Sequence, residues 1–579
     1  MAITEVEHAV TSVASSEPVK VHAKTLIVVA SVNFAYFAQL VSIVASGLLA
    51  NGINTLFNGK NEGVWLSSVI TIITVVLGPP VSQVADLWGR KWPLVIAMLC
   101  GCVGSIVASR AESMGTVIAG FSIIGVSFGG QPLLHAVVSE VLPRRQRPVA
   151  QATVNMTAGM GAFIGICMGG ALLRHNVFNQ YRIFMYVLAG IFFGAALGIT
   201  LCYNPPAREL QSSLTFGEKL RRLDWVGYGL FAPGLLLFCI ALSWSENPYH
   251  WSNGRIIGPF VTGIVLMLAF LVYECLFKKN GILHHGLFTQ NRNFPLALVA
   301  IFAEGLTFFA ANEYFAFEVS LFTGEDLLVA GLHFGVVFLA CTLVALIAGV
   351  YSVKAKAVRI PIVVGFTLML VFNICLATST PSTRTGAFWG FPVLLGSGLG
   401  IILPTIMVTA QLSTPPDLIS TASALILAVR SFGATVGLAV NNAIFKSTLS
   451  TQLPKKIAAA ALPLGLPKTS FAPLIGALSS QNQALLASIP GVTPKIIGAA
   501  ANALLQAYSV SFRYCWVAAA CFCFVAVVAS LFFFDPKDQF NTHIDAPAEK
   551  HLIEVQAIFE GERAPVSSHG TEKEAEGQA

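Results

Sequence analysis

Two ionisable side chains lie deep inside apolar stretches of the sequence, where each could do chemistry. Glu304 stands about ten residues into the run 294–319, which as a helix rising 1.5 Å per residue puts it about 15 Å deep, near a bilayer midplane. A carboxyl there must be neutral, paired or facing a water-filled cavity, because a lone charge in hydrocarbon is expensive. This predicts a proton-coupling role for Glu304, in which it loads and releases a proton; the alternative is a neutral, hydrogen-bonded structural glutamate. Arg430, about twelve residues into the run 418–445, reaches a similar depth and could pair with Glu304 or attract an anionic group of a substrate. Glu313 and Glu318 fall nearer the outer end, where contact with water is expected.

Polar residues also recur at helical spacing within apolar runs. Ser127, Gln131 and His135 follow i, i+4, i+8 and share one face beside Pro132, while Asn33, Tyr36 and Gln39 make a broader stripe on the first run, 25–48. Each stripe either contacts a substrate or hydrogen-bonds to a neighbouring helix. Phe308 shares the face of Glu304 at i+4 and, with Phe121, points to an apolar cavity suited to a bulky amphipathic ligand; most of the 41 phenylalanines face lipid. In VADLWGRKWP, residues 84–93, Asp86, Gly89, Arg90 and Lys91 occupy a short turn between two apolar runs. Cations there set topology; the aspartate and glycine at that spacing ask for more.

The elements that carry these residues are membrane-spanning helices. The 579-residue chain is 55% hydrophobic and 11% charged, with a mean hydropathy of +0.74, too apolar for a soluble protein. Fourteen spans are predicted, numbered 1 to 14 in chain order, at about 25–48, 64–86, 91–110, 114–139, 148–173, 182–203, 225–244, 256–277, 294–319, 327–352, 359–378, 386–411, 418–445 and 511–534, twelve or thirteen being the alternative counts, in an all-α polytopic membrane protein. The first twenty or so residues hold acidic side chains and no apolar core, so no cleaved signal peptide is expected and the amino terminus is placed in the cytosol. The inner loops then collect most of the basic residues, among them Arg90, Lys91, Arg144, Arg145 and Arg147, which accounts for the net charge of +6 without a nucleic-acid partner. All eleven cysteines fall within spans, against disulfides or a metal site. No Walker A sequence, nucleophile elbow or HExxH motif is present, so neither an enzyme nor ATP-driven transport is indicated, and no cofactor is expected.

A self-similarity at an offset of about 271 residues organises the chain. GVSFGGQP at 125–132 recurs as GSGLGIILP at 396–404, and GAFIG at 161–165 as GATVG at 433–437. Gly161/Gly165 and Gly433/Gly437 are small-xxx-small pairs that let helix backbones approach closely, a packing role. The expected organisation is a cytosolic amino-terminal tail (1–24), a six-helix half (25–203), a linker with two extra helices (204–293), and a second six-helix half (294–535) with a long outer loop at 446–510. A disordered cytosolic tail (536–579) follows. Repeats of this kind build a substrate site at the midplane and alternate access to it.

VADLWGRK resembles the loop between spans 2 and 3 of the major facilitator superfamily, with Ser82 where that family usually has glycine. The resemblance implies that Asp86 and Arg90, with Gly89 and Lys91, form a gate that braces the two halves on the cytosolic side, Asp86 reaching toward the start of span 13 after Thr414-Pro-Pro-Asp417. RRLDWVGYGLF (221–231), SWSENPYHW (243–251) and AAANALLQAYSVSFRYCW (499–516) are similar to landmarks of the fungal fourteen-span branch that holds trichothecene efflux pumps and siderophore-iron transporters. The chain departs from the antiporter pattern at Phe121, where an arginine is common, and at Ile166, where a proline is common. The resemblance implies a monomeric secondary transporter, proton-coupled and exporting a fungal metabolite, toxin or drug across the plasma membrane, a vacuolar or vesicle membrane being the alternative location. Proton-driven siderophore-iron uptake and a non-transporting nutrient receptor are the alternative functions.

Overall fold

Several helices in this chain begin at residues that satisfy a first-turn N–H group. Ser113 accepts the N–H of Thr116 at 3.3 Å ahead of Met114–Gly129, and Thr215 with Glu218 closes a capping box ahead of Phe216–Arg222. Backbone hydrogen bonding to Glu218 by Thr215 holds its carboxyl below the usual glutamate range. Trp65–Trp88 ends on Gly89, whose φ of +98° is a left-handed conformation that a side chain would strain.

The computed structural model describes residues 23–57, 63, 65–173, 177–206, 213–244, 251–278, 281–479 and 489–545. Fourteen helices are long and apolar enough to cross a membrane, and no strand occurs among the described residues. Most buried apolar side chains form two large cores, one running from Val28 to Tyr203 and one from Phe270 to Phe540. Spans 7 (Trp225–Trp244) and 8 (Gly254–Phe277) pack on one another. Leu235 and Cys239 of span 7 join Ile72 and Val75 of span 2 and Ala428 of span 13, so the extra pair stands beside the line where the two repeats meet. Tyr228 fixes it there by donating to Gln83 of span 2 at 2.5 Å.

The repeated glycines sit at equivalent places. Gly161 and Gly165 of span 5 face Phe37, Leu40 and Val41 of span 1, and Gly433 and Gly437 of span 13 face Phe302 and Leu306 of span 9. A Cβ on Gly437 would lie 2.7 Å from the Leu306 side chain, and one on Gly433 would run into the Phe302 carbonyl. Both pairs therefore allow close helix contact, once in each repeat.

Two expectations are corrected. The segment 446–510 is not a loop over most of its described length: the helix of span 13 continues unbroken from Ile419 to Ala461, Phe471–Ser479 follows, and Pro494–Ser530 carries the chain back. Leu453, Ile457, Leu474, Ile496 and Ala500 close into a small core of their own. Pro473 and Pro494 occupy first turns, where the missing N–H is no loss, and Pro454 lies inside the long helix. The second correction concerns the carboxyl-terminal tail, whose residues 536–545 are folded against the bundle, with a 3-10 turn at Lys537–Gln539 and Phe540 and Ile544 buried. Residues 546–579, and the amino-terminal tail up to residue 22, lie outside the described residues.

Candidate functional site

Glu304 and Arg430 face each other. Arg430 Nε donates to Glu304 Oε2 at 2.6 Å and Nη2 to Oε1 at 2.9 Å, a two-pronged pair between spans 9 and 13. Glu304 is fully buried, whereas Arg430 keeps 18% of its side chain accessible. Its guanidinium carbon lies 5.4 Å from the Phe308 ring centre and 5.7 Å from that of Phe309, so aromatic faces line the cation. The approach of the helices depends on Gly305, because a Cβ there would meet the Arg430 carbonyl.

From the first repeat, Tyr36 and His135 fall within electrostatic range of Arg430. Both polar stripes make interhelical hydrogen bonds. Gln131 Nε2 donates to the Tyr36 hydroxyl at 3.0 Å, and His135 Nδ1 lies 2.7 Å from Gln151 Oε1 with its ring edge-on to Tyr36. Asn33 Nδ2 donates to Thr153 Oγ1 at 3.1 Å, and Gln39 Nε2 to the Ser127 carbonyl at 2.7 Å. Gln39 and Ser127 are fully buried between spans 1 and 4.

At the end of the bundle that carries the basic loops, Arg90 links two carboxylates, standing 3.4 Å from Asp86 and ion-paired with Glu140 at the end of span 4. Thr421, in the first turn of the span 13 helix, donates to Asp86 Oδ2 at 3.4 Å. Asp86 thus reaches across to the start of span 13. Gln411 Nε2 reaches the His135 carbonyl at 3.4 Å, closing the same end. Lys91 stands apart, bonded to Asn204 and over the Trp92 ring.

Glu318 is the correction here: it is buried, 1% exposed, and accepts from Ser379 Oγ at 2.5 Å and Trp516 Nε1 at 2.6 Å, away from water. Sequence reasoning passed over Glu140 and Gln151. An acidic residue at the inner end of a span, beside a basic loop, was the available signal for the first; an amide sixteen residues from His135, across a turn, gave none.

A buried carboxylate–guanidinium pair at mid-depth within the second half, with a charge network at one end that joins the two halves, suits a carrier with a central site. The profile of the Major Facilitator Superfamily matches residues 30–438. The chain belongs to the Major Facilitator Superfamily. It is accordingly a multi-pass membrane transporter and not an enzyme. Its superfamily relatives include the MFS-type transporter pigP of Monascus ruber, 24% identical over 74% of this chain and 75% of that one. The acurin A biosynthesis cluster MFS-type transporter of Aspergillus aculeatus is 25% identical over 71% and 74%, and the MFS efflux transporter aclA of Aspergillus oryzae 24% identical over 72% and 74%. The crystal structure of the human organic anion transporter MFSD10 shares the superfamily fold, with a TM-score of 0.50 at 12% identity over 88% of this chain and all of that one.

Proposed function

We propose that the protein exports a neutral or weakly charged amphipathic metabolite, toxin or drug in exchange for protons, with Glu304 as the proton site. The observation that carries this reading is the pairing of a fully buried Glu304 with a partly accessible Arg430 that lies against the Phe308 and Phe309 rings. While Glu304 is ionised, the pair is neutral overall and its aromatic surroundings suit an apolar ligand. Adding a proton to Glu304 cancels the carboxylate and leaves Arg430 as an uncompensated cation facing that ligand. Proton and ligand then exclude one another, and linkage makes the exclusion reciprocal, which is the condition for exchange. Phe308 lines the ligand side, and Tyr36, Gln131 and His135 supply the facing polar wall. Asn33, Gln39 and Ser127 keep that wall in place. Asp86 and Arg90 brace the closed end. Relatives named as an efflux transporter and as a product of a metabolite biosynthesis cluster support the outward direction and the class of cargo. The plasma membrane is the location that fits this role.

The accessible face of Arg430 favours a second reading. An anionic cargo, such as a ferric siderophore, would compete with Glu304 for the guanidinium and bind best once Glu304 is protonated. Proton and cargo would then travel together, inward.

Reconstituted protein separates the two. In proteoliposomes, accumulation of a neutral amphipathic dye should require a pH gradient opposed to dye movement, and Glu304→Gln should keep dye exchange while losing gradient-driven accumulation. Co-transport of an iron-loaded siderophore with protons, and no dye transport, would replace the first reading by the second; full gradient-driven accumulation by Glu304→Gln would remove Glu304 as the proton site.

A further inference from the structure

Beyond the last span the chain does not leave the bundle. Asp535 Oδ1 accepts the N–H groups of Val358 and Arg359 at 2.7 and 2.9 Å, at the start of span 11. Asn293, at the start of span 9, exchanges two hydrogen bonds with the Phe534 backbone at 3.0 and 3.1 Å, and Phe540 enters the core of the second repeat. The near end of the segment is thus fixed to the second repeat.

Its far end is fixed to the first. Arg145 and Arg144 donate their backbone N–H groups to the carbonyls of Asn541 and His543 at 2.8 and 2.9 Å. Arg144 Nη1 donates to Gln539 Oε1 at 2.8 Å, and its Nε and Nη2 reach the Asp545 carboxylate at 3.2 and 2.6 Å. Arg147 also pairs with Asp545, with both side chains buried, and donates to the Ser139 carbonyl at 3.0 Å. His543 Nε2 stands 3.6 Å from the same carboxylate. Asp86, Glu140 and Asp545 therefore face Arg90, Arg144 and Arg147 at one end of the bundle, three acids against three cations.

We infer that residues 535–545 form a strap that holds the basic end closed, and that Asp545 is a positioning residue of the transport cycle. Opening that end moves the first repeat away from the second, and the strap is attached to both. Ten residues reach at most about 35 Å when extended, so the strap does not forbid opening by its length. What opposes opening is the buried charge: when the tip detaches, Arg147 loses its carboxylate and must find water. The strap therefore favours the form open on the opposite face and lets go once per cycle.

Hydrogen–deuterium exchange of the full-length protein in nanodiscs tests this without needing a ligand. In Asp545→Asn, a form open at the basic end that is populated on the order of 1% should rise roughly ten-fold. Exchange should then speed up in peptides covering 82–90, 134–150 and 409–424 and slow down in peptides at the opposite ends of spans 1, 2, 9 and 13. Asp545→Glu should keep the wild-type pattern. A disulfide between Arg145→Cys and Asn541→Cys, added to Asp545→Asn, should restore protection until a reductant is added. Faster exchange at both ends alike, or none at the basic end, would reduce the strap to a structural ornament and overturn the inference. Should Asp545→Asn fail to fold, Gln539→Ala removes only the Arg144 Nη1 contact and should give the same reciprocal pattern at lower amplitude; its absence there would equally overturn it.

Discussion

Arg430 lays two nitrogens on the two carboxylate oxygens of Glu304, at 2.6 and 2.9 Å, across 126 positions of sequence and at mid-depth in the bundle. Each charge is costly to hold there without the other. Removing one partner alone, in Arg430→Gln or Glu304→Gln, should cost about 3–5 kcal/mol because it strands the remaining charge, whereas the two substitutions combined should recover most of that loss. Thermal unfolding of detergent-solubilised single and double variants measures the coupling. Additive losses would mean the pair is not an energetic unit.

Arg90 serves two carboxylates, one of them almost wholly buried, while Asp86 shares its charge with Thr421 and Arg90. Arg90→Ala should therefore reduce transport more than Asp86→Asn at equal abundance in the membrane, and Glu140→Gln should resemble Arg90→Ala. Lys91→Ala should be close to wild type in transport, since its contacts lie with Asn204 and Trp92. Initial transport rates normalised to membrane protein check the order. Equal effects of all four would return the loop to a topology signal.

Gly433 and Gly437 hold span 13 against span 9, with no room for a further carbon. Gly437→Val should destabilise by about 1–3 kcal/mol through overpacking and displace Arg430, which sits two turns earlier on the same helix. Gly190→Ala is the control, because a Cβ there meets nothing within 4 Å. A melting-temperature comparison of the two decides whether the small-residue pair is a packing device.

The bundle was legible because its helices are written in composition: runs of about twenty apolar residues admit few other structures in a protein. The small-residue pairs were legible for a related reason, since Gly161, Gly165, Gly433 and Gly437 stand where two backbones touch and little else fits. Glu304 and Arg430 were visible singly, by depth, but their meeting was not, because helical rotation and neighbour order are set by packing across the whole molecule. Glu318 was misjudged for the same reason: depth along a helix says nothing of which way the side chain turns, and Trp516, 198 positions away, is what receives it. The strap left no local trace. Asp545 sits in a polar sequence, and its value comes from Arg144 and Arg147, some four hundred residues earlier.

The helix that sets Thr421 beside Asp86 and Arg430 against Glu304 also runs on to Ala461 with Pro454 inside it, 43 residues in all, which at 1.5 Å per residue is about 65 Å. Its distal end belongs to the small core built by Leu453, Ile457, Leu474 and Ile496. A rod pivoting near its middle sends its two ends in opposite directions, so any swing at Thr421 is displayed, inverted, on the far side of the membrane. An antibody fragment or fluorophore fixed to that distal knob would read movement at Thr421 from the other end of the helix, like the pointer of a balance.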